Sequence, residues 1–458
     1  MSSRAAALLV MCVGVVSCSS GVGSSASTSR VSLTPTPSPA ISTEWTEYHR
    51  DAGRSGLGPA EPAIGSPVEA WRAAVDGDVY ASPLIVAGHV IVATENNTVY
   101  SLDLFTGSVV WKAHLGDPVD ASTLPCGGIR PVTGITSTPV ADTGAGRVYV
   151  VAFLRGYHHV MYSLRLLDGS VAFQRPVDPV GSNPVVQQQR GALSMGSGFV
   201  YVPFGGLLGD CGAYRGYVVG ISLDGVSAVA YVVPTPRGAG IWSPMGATIG
   251  PDGTVYVVTG NATSAAGNFG YSDTVLALSP DLSSVRSYFA PSNWAFLNSS
   301  DTDLGSVGLA LLPGDLALSV GKEGVAYLLR ASSLGGVGGQ IASRRVCGGA
   351  WGGTAWAGST VFVPCADGLF ALSVTSSSIG VAWSAGSVVL GSPIVSAGAV
   401  WAIEPSSGSL FALDPASGRV LYRAGLGAAQ HFSTPAATDG FVVVPAGQKV
   451  VAVSVVSS

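Results

Sequence analysis

The chain has 458 residues, of which 47% are hydrophobic and only 11% are charged, and 62 are glycine. This composition excludes an intrinsically disordered protein and indicates a packed chain rich in turns. The formal net charge is −5, with 22 Lys and Arg residues and no basic run. The electrostatic signature of a nucleic-acid-binding protein is therefore absent from the sequence.

The N-terminus has the features of a targeting segment. Arg4 supplies a positive start, and residues 5–16 form a short apolar stretch. Twelve residues are too few to cross a bilayer, which needs about 20. The sequence Val15-Val16-Ser17-Cys18 resembles the lipobox of bacterial lipoproteins. That resemblance implies a signal peptide over residues 1–18 and lipidation of Cys18, and the alternative is an ordinary secretory signal that is cut nearby. Both alternatives predict export from the cytoplasm.

Residues 19–44 consist almost entirely of Ser, Thr, Gly, Pro, Val and Ala. They show no hydrophobic periodicity, which predicts a flexible tether. The globular domain is expected to extend over residues 45–458.

A repeated unit occupies most of this domain. Each unit opens on a small residue, often before proline, and continues with an apolar run, a turn and a second apolar run. Eight openings can be identified, near Ser82, Thr138, Ala192, Ser243, Ser306, Thr354, Ser392 and Thr434. A unit of about 49 residues cannot bury both of its faces alone, so the copies are expected to stack in a ring.

Short β-branched runs bounded by Gly, Asp and Asn predict strands within the units, as at Val148–Ala152 and Val255–Val258. No long window shows a helical period, so almost no helix is expected. The last unit, Thr434–Ser458, is too short for four strands. The apolar run Pro67–Val75 supplies the missing one. We therefore predict an all-β, eight-bladed propeller of four-stranded antiparallel blades, in which the N-terminal strand closes the last blade.

Four cysteines remain in the mature domain, and three pairings are possible. We favour Cys126–Cys211 and Cys347–Cys365, because each pair joins neighbouring repeats. Four buried free thiols are the alternative. A zinc site is disfavoured, because the chain has no CxxC spacing.

The two best copies of the repeat read Tyr100-Ser-Leu-Asp103-Leu-Phe-Thr106-Gly107-Ser-Val-Val-Trp111 and Phe411-Ala-Leu-Asp414-Pro-Ala-Ser417-Gly418-Arg-Val-Leu-Tyr422. This pattern resembles the repeat of the quinoprotein-type (PQQ-repeat) eight-bladed propellers. The resemblance implies that the glycine shapes a turn and that the aromatic residue packs between blades. Gly169 and Phe173 form a third such pair, and Gly permits the positive φ that the turn needs.

The same resemblance implies candidate site residues. Trp242 matches the tryptophan that underlies the quinone in quinoprotein dehydrogenases, and Asn261 matches a calcium ligand. Asp301 and Asp303 lie in a stretch that resembles the region supplying the catalytic Asp base of these enzymes. Lys322 matches the lysine that hydrogen-bonds the quinone. A base, a Lewis acid and a cation together suit hydride abstraction.

Three absences oppose this dehydrogenase site. No Glu lies between Glu95 and Glu323, so the Glu that ligates calcium in the family has no counterpart before Trp242. No adjacent Cys-Cys pair exists to cover the other face of a quinone, and no CxxCH motif exists for an attached haem.

Each candidate also has a structural alternative. Trp242 can pack between blades, Asn261 can cap a turn, the two aspartates can hold a loop, and Lys322 can be a solvated surface lysine. Asp301 and Asp303 would also suit the carboxylate pair of a glycosidase if they shared one face of a strand.

We therefore predict a membrane-anchored, extracytoplasmic lipoprotein whose propeller is a binding or assembly scaffold and requires no cofactor. A protein, a glycan or a small molecule would bind at a propeller face or in the central channel. The alternative is a PQQ- and calcium-dependent alcohol or sugar dehydrogenase, or a degenerate relative of one.

Overall fold

The chain forms eight antiparallel sheets that are the blades of a propeller, as the repeat predicts. The structure is a computed structural model and describes residues 44–262, 269–386 and 388–455. The predicted signal peptide, Cys18 and all of the predicted tether except Glu44 lie outside the described residues. Across the described ranges, no helix combines the length and apolar character that a membrane span requires.

The strands of each blade follow one another along the chain. In blades 1 to 4 the strands, from the innermost outward, are Leu84–Val86, His89–Ala93, Thr98–Asp103 and Val109–His114; Val140–Asp142, Arg147–Leu154, His158–Arg165 and Val171–Pro176; Ser194–Gly196, Phe199–Gly206, Tyr217–Ser222 and Ala228–Val232; and Thr248–Ile249, Val255–Val258, Val275–Leu278 and Val285–Ala290. Blades 3 and 4 each carry a fifth, two-residue strand that the repeat does not predict, Gln187–Gln188 and Gly336–Val337.

Blades 5 to 8 follow the same order, except that the last blade takes its outermost strand from the N-terminal side. Their strands are Ala310–Leu312, Leu316–Val320, Val325–Arg330 and Ala342–Arg345; Ala355–Ala357, Thr360–Cys365, Gly368–Val374 and Ile379–Ala385; Ile394–Ser396, Ala399–Glu404, Ser409–Leu413 and Val420–Gly425; and Ala436–Thr438, Phe441–Pro445, Lys449–Ser454 and Val68–Ala74. A two-stranded sheet, Val119–Asp120 with Val132–Thr133, lies outside the blades.

Helical structure is sparse, as expected. The helices within the described residues are one short α-helix, Trp294–Ser299, and three 3-10 turns, Ala121–Thr123, Pro184–Val186 and Leu304–Ser306.

The ring closes through the predicted strand. Val68–Ala74 pairs antiparallel with Lys449–Ser454, so the two ends of the chain share blade 8. The innermost strands of blades 8 and 1 are also neighbours. The N-terminal strand thus supplies the fourth strand of blade 8, which explains why the short last repeat suffices.

The core lies mainly between adjacent blades. One buried cluster joins Leu84 and Trp111 of blade 1 to Val150 and Tyr162 of blade 2. Each sheet is thus covered on both faces by its neighbouring sheets. Strands that are buried on both faces read as continuous apolar runs in the sequence.

The repeat glycines and aromatic residues form a contact between blades. Gly107 has φ +70°, and a Cβ there would lie 2.5 Å from the ring of Trp71 in the preceding blade. The Trp71 Nε1 donates a hydrogen bond to the carbonyl oxygen of Leu104 at 2.7 Å. Trp111 packs in the same way on Gly169 of blade 2.

The predicted packing of the aromatic residue between blades is therefore confirmed for Trp111. Phe173 also packs between blades, on Gly225 of blade 3. Tyr422 packs on the buried cluster that spans blades 7, 8 and 1, and it contacts Trp401 of its own blade with 6.1 Å between ring centroids. The glycine of its repeat, Gly418, receives Trp383.

Residues 44–58, which we call the axial segment, run through the centre of the ring. The Trp45 N–H donates to the carbonyl oxygen of Ile85 in blade 1 at 2.8 Å, and the Gly58 N–H donates to that of Val395 in blade 7 at 2.7 Å. The sequence patterns did not predict this arrangement, because the axial segment lies outside the repeat.

Arg54 fixes the axial segment in place. Its guanidinium is fully buried, lies 3.2 Å from the Glu47 carboxylate, and donates to the carbonyl oxygens of Leu193 in blade 3 and Ala247, beside blade 4. A buried charge is tolerated only when it is paired and hydrogen-bonded in this way.

Both favoured disulfides are present. Cys126 bonds to Cys211, which ties the connection between blades 1 and 2 to a loop of blade 3. Cys347 bonds to Cys365, which ties blade 5 to blade 6. The alternative of four free thiols is wrong.

The contact between Gly107 and Trp71 predicts how one added methyl group changes the stability of the protein. Gly107→Ala places a Cβ against the Trp71 ring at a positive φ, so we expect the free energy of unfolding to fall by about 2–4 kcal/mol. Denaturant unfolding followed by circular dichroism measures it. Gly146→Ala is the matched control, because Gly146 has φ +65° and nothing within 4 Å of the added Cβ. It should cost only about 1–2 kcal/mol. Equal losses in the two variants would contradict the proposed contact.

Candidate functional site

A cavity of about 530 Å³ lies at the end of the ring where the innermost strands begin. Its wall includes residues of the segments that lead into innermost strands, among them Arg190 of blade 3, Trp242 of blade 4 and Phe432 of blade 8. Five aromatic side chains line it in all, the others being Tyr80, Tyr214 and Trp351.

All five residues that the resemblance singled out line this cavity. They are Trp242, Asn261, Asp301, Asp303 and Lys322. Trp242 directly precedes the fourth blade opening at Ser243. Asn261 lies near the start of the loop after Val255–Val258, and Lys322 begins the turn after Leu316–Val320. The propeller thus brings together residues that are up to 80 positions apart in sequence.

Lys322 is the centre of a charge cluster. Its Nζ lies 2.5 Å from Asp303 Oδ2 and 3.0 Å from Asp301 Oδ1. Its side chain is only 19% exposed, so it is not a solvated surface lysine. Burial lowers its pKa, but the two carboxylates outweigh burial and raise it. Lys322 is therefore a permanent cation at neutral pH.

Asp303 is held from two sides. Its Oδ1 accepts a hydrogen bond from the Asn261 backbone N–H at 2.6 Å, and its side chain is 5% exposed. Gly260 allows this approach, because a Cβ there would lie 2.3 Å from Asp303 Oδ1 and 2.9 Å from Trp242 Nε1. Burial raises the pKa of Asp303, although Lys322 opposes that shift.

Asp301 and Asp303 do not form a strand pair. They lie in the connection between the helix Trp294–Ser299 and the turn Leu304–Ser306. Asp301 is mostly exposed and also accepts a hydrogen bond from Asn261 Nδ2 at 2.9 Å. Both carboxylates contact the same ammonium, so the strand geometry that the glycosidase alternative requires is absent.

A third carboxyl group lies behind the cluster. Asp273 is fully buried, and its Oδ1 accepts the Leu304 N–H at 2.9 Å. Its Oδ2 has no hydrogen-bond partner among the described residues. Burial, reinforced by the neighbouring Asp303, raises the pKa of Asp273 well above its usual range, which favours the neutral acid at this position.

The aromatic residues bridge the two cations of the cavity. The Lys322 Nζ is 5.7 Å from the centroid of the Trp242 ring, and that ring is 6.4 Å from the Phe432 ring. Arg190 lies 5.3 Å from the Phe432 centroid and 5.8 Å from that of Tyr80. Trp242 is half-buried and lines the cavity.

The sequence did not single out Arg190 or Asp210, which also line the cavity. Asp210 lies beside Cys211, and its carboxylate accepts the Tyr214 hydroxyl hydrogen at 2.5 Å. The adjacent Cys211 was the one available signal for Asp210, because the predicted disulfide indicates that this loop is held in place. Arg190 carries no pattern that distinguishes it from a surface arginine.

The residues do not fit a calcium site. Among the described residues, the potential ligand atoms of three His, Cys, Asp or Glu side chains converge only at Cys347, Cys365 and Asp367, and the two sulfurs there form a disulfide. Asp301 and Asp303 already neutralise Lys322, and calcium prefers six to eight oxygen ligands.

Glu95 predicts a pH dependence of stability. It is buried, its Oε2 accepts the Gly134 N–H at 2.6 Å, and burial raises its pKa from 4.5 to about 7. The folded protein therefore holds this proton more tightly than the unfolded chain. The resulting stabilisation is complete below pH 4.5 and is lost as the pH rises to about 7.

We expect Glu95→Gln, which keeps the acceptor oxygen, to remove a loss of about 3 kcal/mol between pH 4.5 and pH 8. Urea unfolding of both proteins across this range measures the difference. Glu69→Gln on the exposed outermost strand of blade 8 is the control and should not flatten the profile. Parallel pH profiles for wild type and Glu95→Gln would show that Glu95 titrates normally.

Solved structures similar to this chain share its fold. The quinohemoprotein alcohol dehydrogenase from Comamonas testosteroni aligns with a TM-score of 0.73 and 16% identity over 91% of this chain and 81% of that chain. A europium-containing methanol dehydrogenase gives 0.68 and 15%, over 88% and 90%. BamB from Moraxella catarrhalis gives 0.59 and 12%, over 85% and 100%. Identities this low show the fold alone.

No curated protein sequence matches the chain. A family model does match, and it is the one described as outer membrane protein assembly factor BamB, over residues 67–307. The match extends over more than half of the 458 residues and confirms the resemblance to PQQ-repeat propellers. This chain therefore belongs to the family of outer membrane protein assembly factor BamB.

Proposed function

We propose that this protein is an extracytoplasmic binding protein whose axial cavity takes a small planar aromatic molecule. One observation carries the proposal: Trp242, Phe432 and three further aromatic side chains surround a cavity of about 530 Å³ that also holds paired charges. Ligand sites are typically concave, mostly apolar and equipped with a few convergent polar groups. Asp303 and Lys322 supply such groups.

The proposed binding site does not require a metal. Lys322 already occupies the position between the two carboxylates that a cation would otherwise fill. An aromatic ligand would stack on Trp242, and a polar edge of the ligand would meet Lys322. We also propose that the outer faces of the ring serve the scaffold role predicted from the sequence, which the name of the family supports and which does not depend on this cavity.

A PQQ-dependent dehydrogenase is the second candidate. The contact between Lys322 and Asp303 favours it, because a buried carboxylate beside a cation is an arrangement that a general base can use. The missing calcium ligands oppose it. We therefore expect that PQQ added with calcium does not support dye reduction with alcohols or sugars, and reduction above background would establish the dehydrogenase instead.

Binding is tested with neutral and anionic planar probes. We expect saturable binding of 2-naphthamide and of PQQ, measured by calorimetry, and a loss of about 10-fold in affinity in Trp242→Leu, because stacking contributes about 1–3 kcal/mol. Trp294→Leu is the control, since Trp294 lies on the α-helix and does not line the cavity. An absence of binding by both probes would refute the proposal.

We further propose that Cys18 anchors the protein to the outer side of a membrane. The lipobox-like sequence before it supports this assignment. Stable anchoring needs more than one acyl chain, which a lipidated N-terminal cysteine provides. Cys18→Ala should shift the protein from the membrane fraction to the soluble fraction after cell lysis, as judged by immunoblotting. Retention in the membrane fraction at the wild-type level would contradict lipid anchoring.

A further inference from the structure

The charges that line the cavity are unevenly distributed. Asp210, Asp301, Asp303 and Lys322 are associated with blades 3, 4 and 5, and three of these four groups are acidic. Lys322 is committed to two carboxylates at 2.5 and 3.0 Å. An anionic ligand would therefore meet net repulsion at this acidic end of the cavity.

Arg190 provides the opposite environment. It precedes the innermost strand of blade 3 and lines the same cavity. Among the residues that the structure describes, Arg190 forms no ion pair. Its recorded hydrogen bonds run to the carbonyl oxygens of Thr136 and His431, both at the long distance of 3.3 Å.

The position of the guanidinium is nevertheless defined. Tyr80 and Phe432 contact it at 5.8 and 5.3 Å from their ring centroids. An arginine has five N–H donors in a planar fork, and two backbone acceptors leave donors for a ligand. A guanidinium that aromatic rings hold in place loses little freedom when it binds a carboxylate.

Glu95 is the acidic side chain whose charge acts on Arg190. Glu95 is buried and does not reach ion-pair distance from Arg190. Its Oε2 is occupied by the Gly134 N–H. The positive charge of Arg190 therefore remains available to the cavity.

We propose that Arg190 is the anion-recognising residue of the cavity and that the ligand is an aromatic carboxylate oriented with its carboxylate toward Arg190. This inference rests on the proposed function, because it assigns the chemical class and the orientation of the same ligand. Arg190 thus determines specificity, whereas Trp242 provides stacking for charged and neutral rings alike. A bidentate pair between guanidinium and carboxylate is the geometry that would distinguish them.

The test uses two probes of nearly equal shape, 2-naphthoate and 2-naphthamide, which differ in charge. Calorimetry on the wild-type protein should give at least about 10-fold tighter binding of the carboxylate, as expected for a charge-assisted hydrogen bond. Arg190→Gln should reduce this ratio to about one while 2-naphthamide binds as before. Lys322→Gln is the matched control at the acidic end and should leave a clear preference for the carboxylate.

The possible results separate the two proposals. Equal binding of both probes to the wild type would overturn the role of Arg190 and leave the aromatic-binding function intact. A ratio that persists in Arg190→Gln, or that disappears in Lys322→Gln instead, would also overturn it. Failure of both probes to bind would overturn both proposals.

A second measurement needs no variant. Phenylglyoxal modifies accessible arginine side chains, and mass spectrometry follows the modification of Arg190 in the wild-type protein. We expect 2-naphthoate to slow the modification of Arg190 and 2-naphthamide at equal occupancy to slow it less. Equal protection by the two probes would contradict direct contact between the carboxylate and Arg190.

Discussion

Closure of the ring is the constraint on which the rest of the structure depends. Antiparallel pairing of Val68–Ala74 with Lys449–Ser454 joins the two ends of the domain in one sheet. The cavity exists because of that closure, since its lining residues come from blades as distant in sequence as blade 1, with Tyr80, and blade 8, with Phe432. An open ring would separate these two walls and expose the apolar faces of blades 8 and 1 that now share one buried cluster.

The centre of the ring is held by a second device. The axial segment contacts innermost strands around the channel, and the pair between Arg54 and Glu47 is buried there. A buried pair of this kind contributes little net stability but strongly disfavours arrangements in which one partner is missing. The pair therefore favours one position of the segment over others.

The blades could be predicted from the sequence because their signals are local. Proline-containing openings, β-branched runs and turn glycines such as Gly107 recur at a regular spacing, and each copy predicts the same unit. The short last repeat even predicted the closing strand. The axial segment has no such repetition, and its place in the channel depends on hydrogen bonds to strands hundreds of residues away, such as that of Gly58 with Val395.

The site was predictable only in part, for a related reason. Trp242, Asn261 and Lys322 stand in short stretches that resemble those of a known family, so they could be named from the sequence. Arg190 and Asp210 stand in no such stretch. They become neighbours of the other residues only because the blades are arranged radially, which places the starts of innermost strands around one axis.

The Cys126–Cys211 bond has a consequence for how the protein must be produced. Gly128 and Asp210, each within two residues of one of these cysteines, form part of the cavity rim. Material synthesised in a reducing cytosol would carry this part of the rim as two untied loops, and it would also lack the Cys347–Cys365 bond between blades 5 and 6. The ligand affinity of protein expressed without an oxidising export route would therefore depend on how far these thiols had been oxidised during preparation.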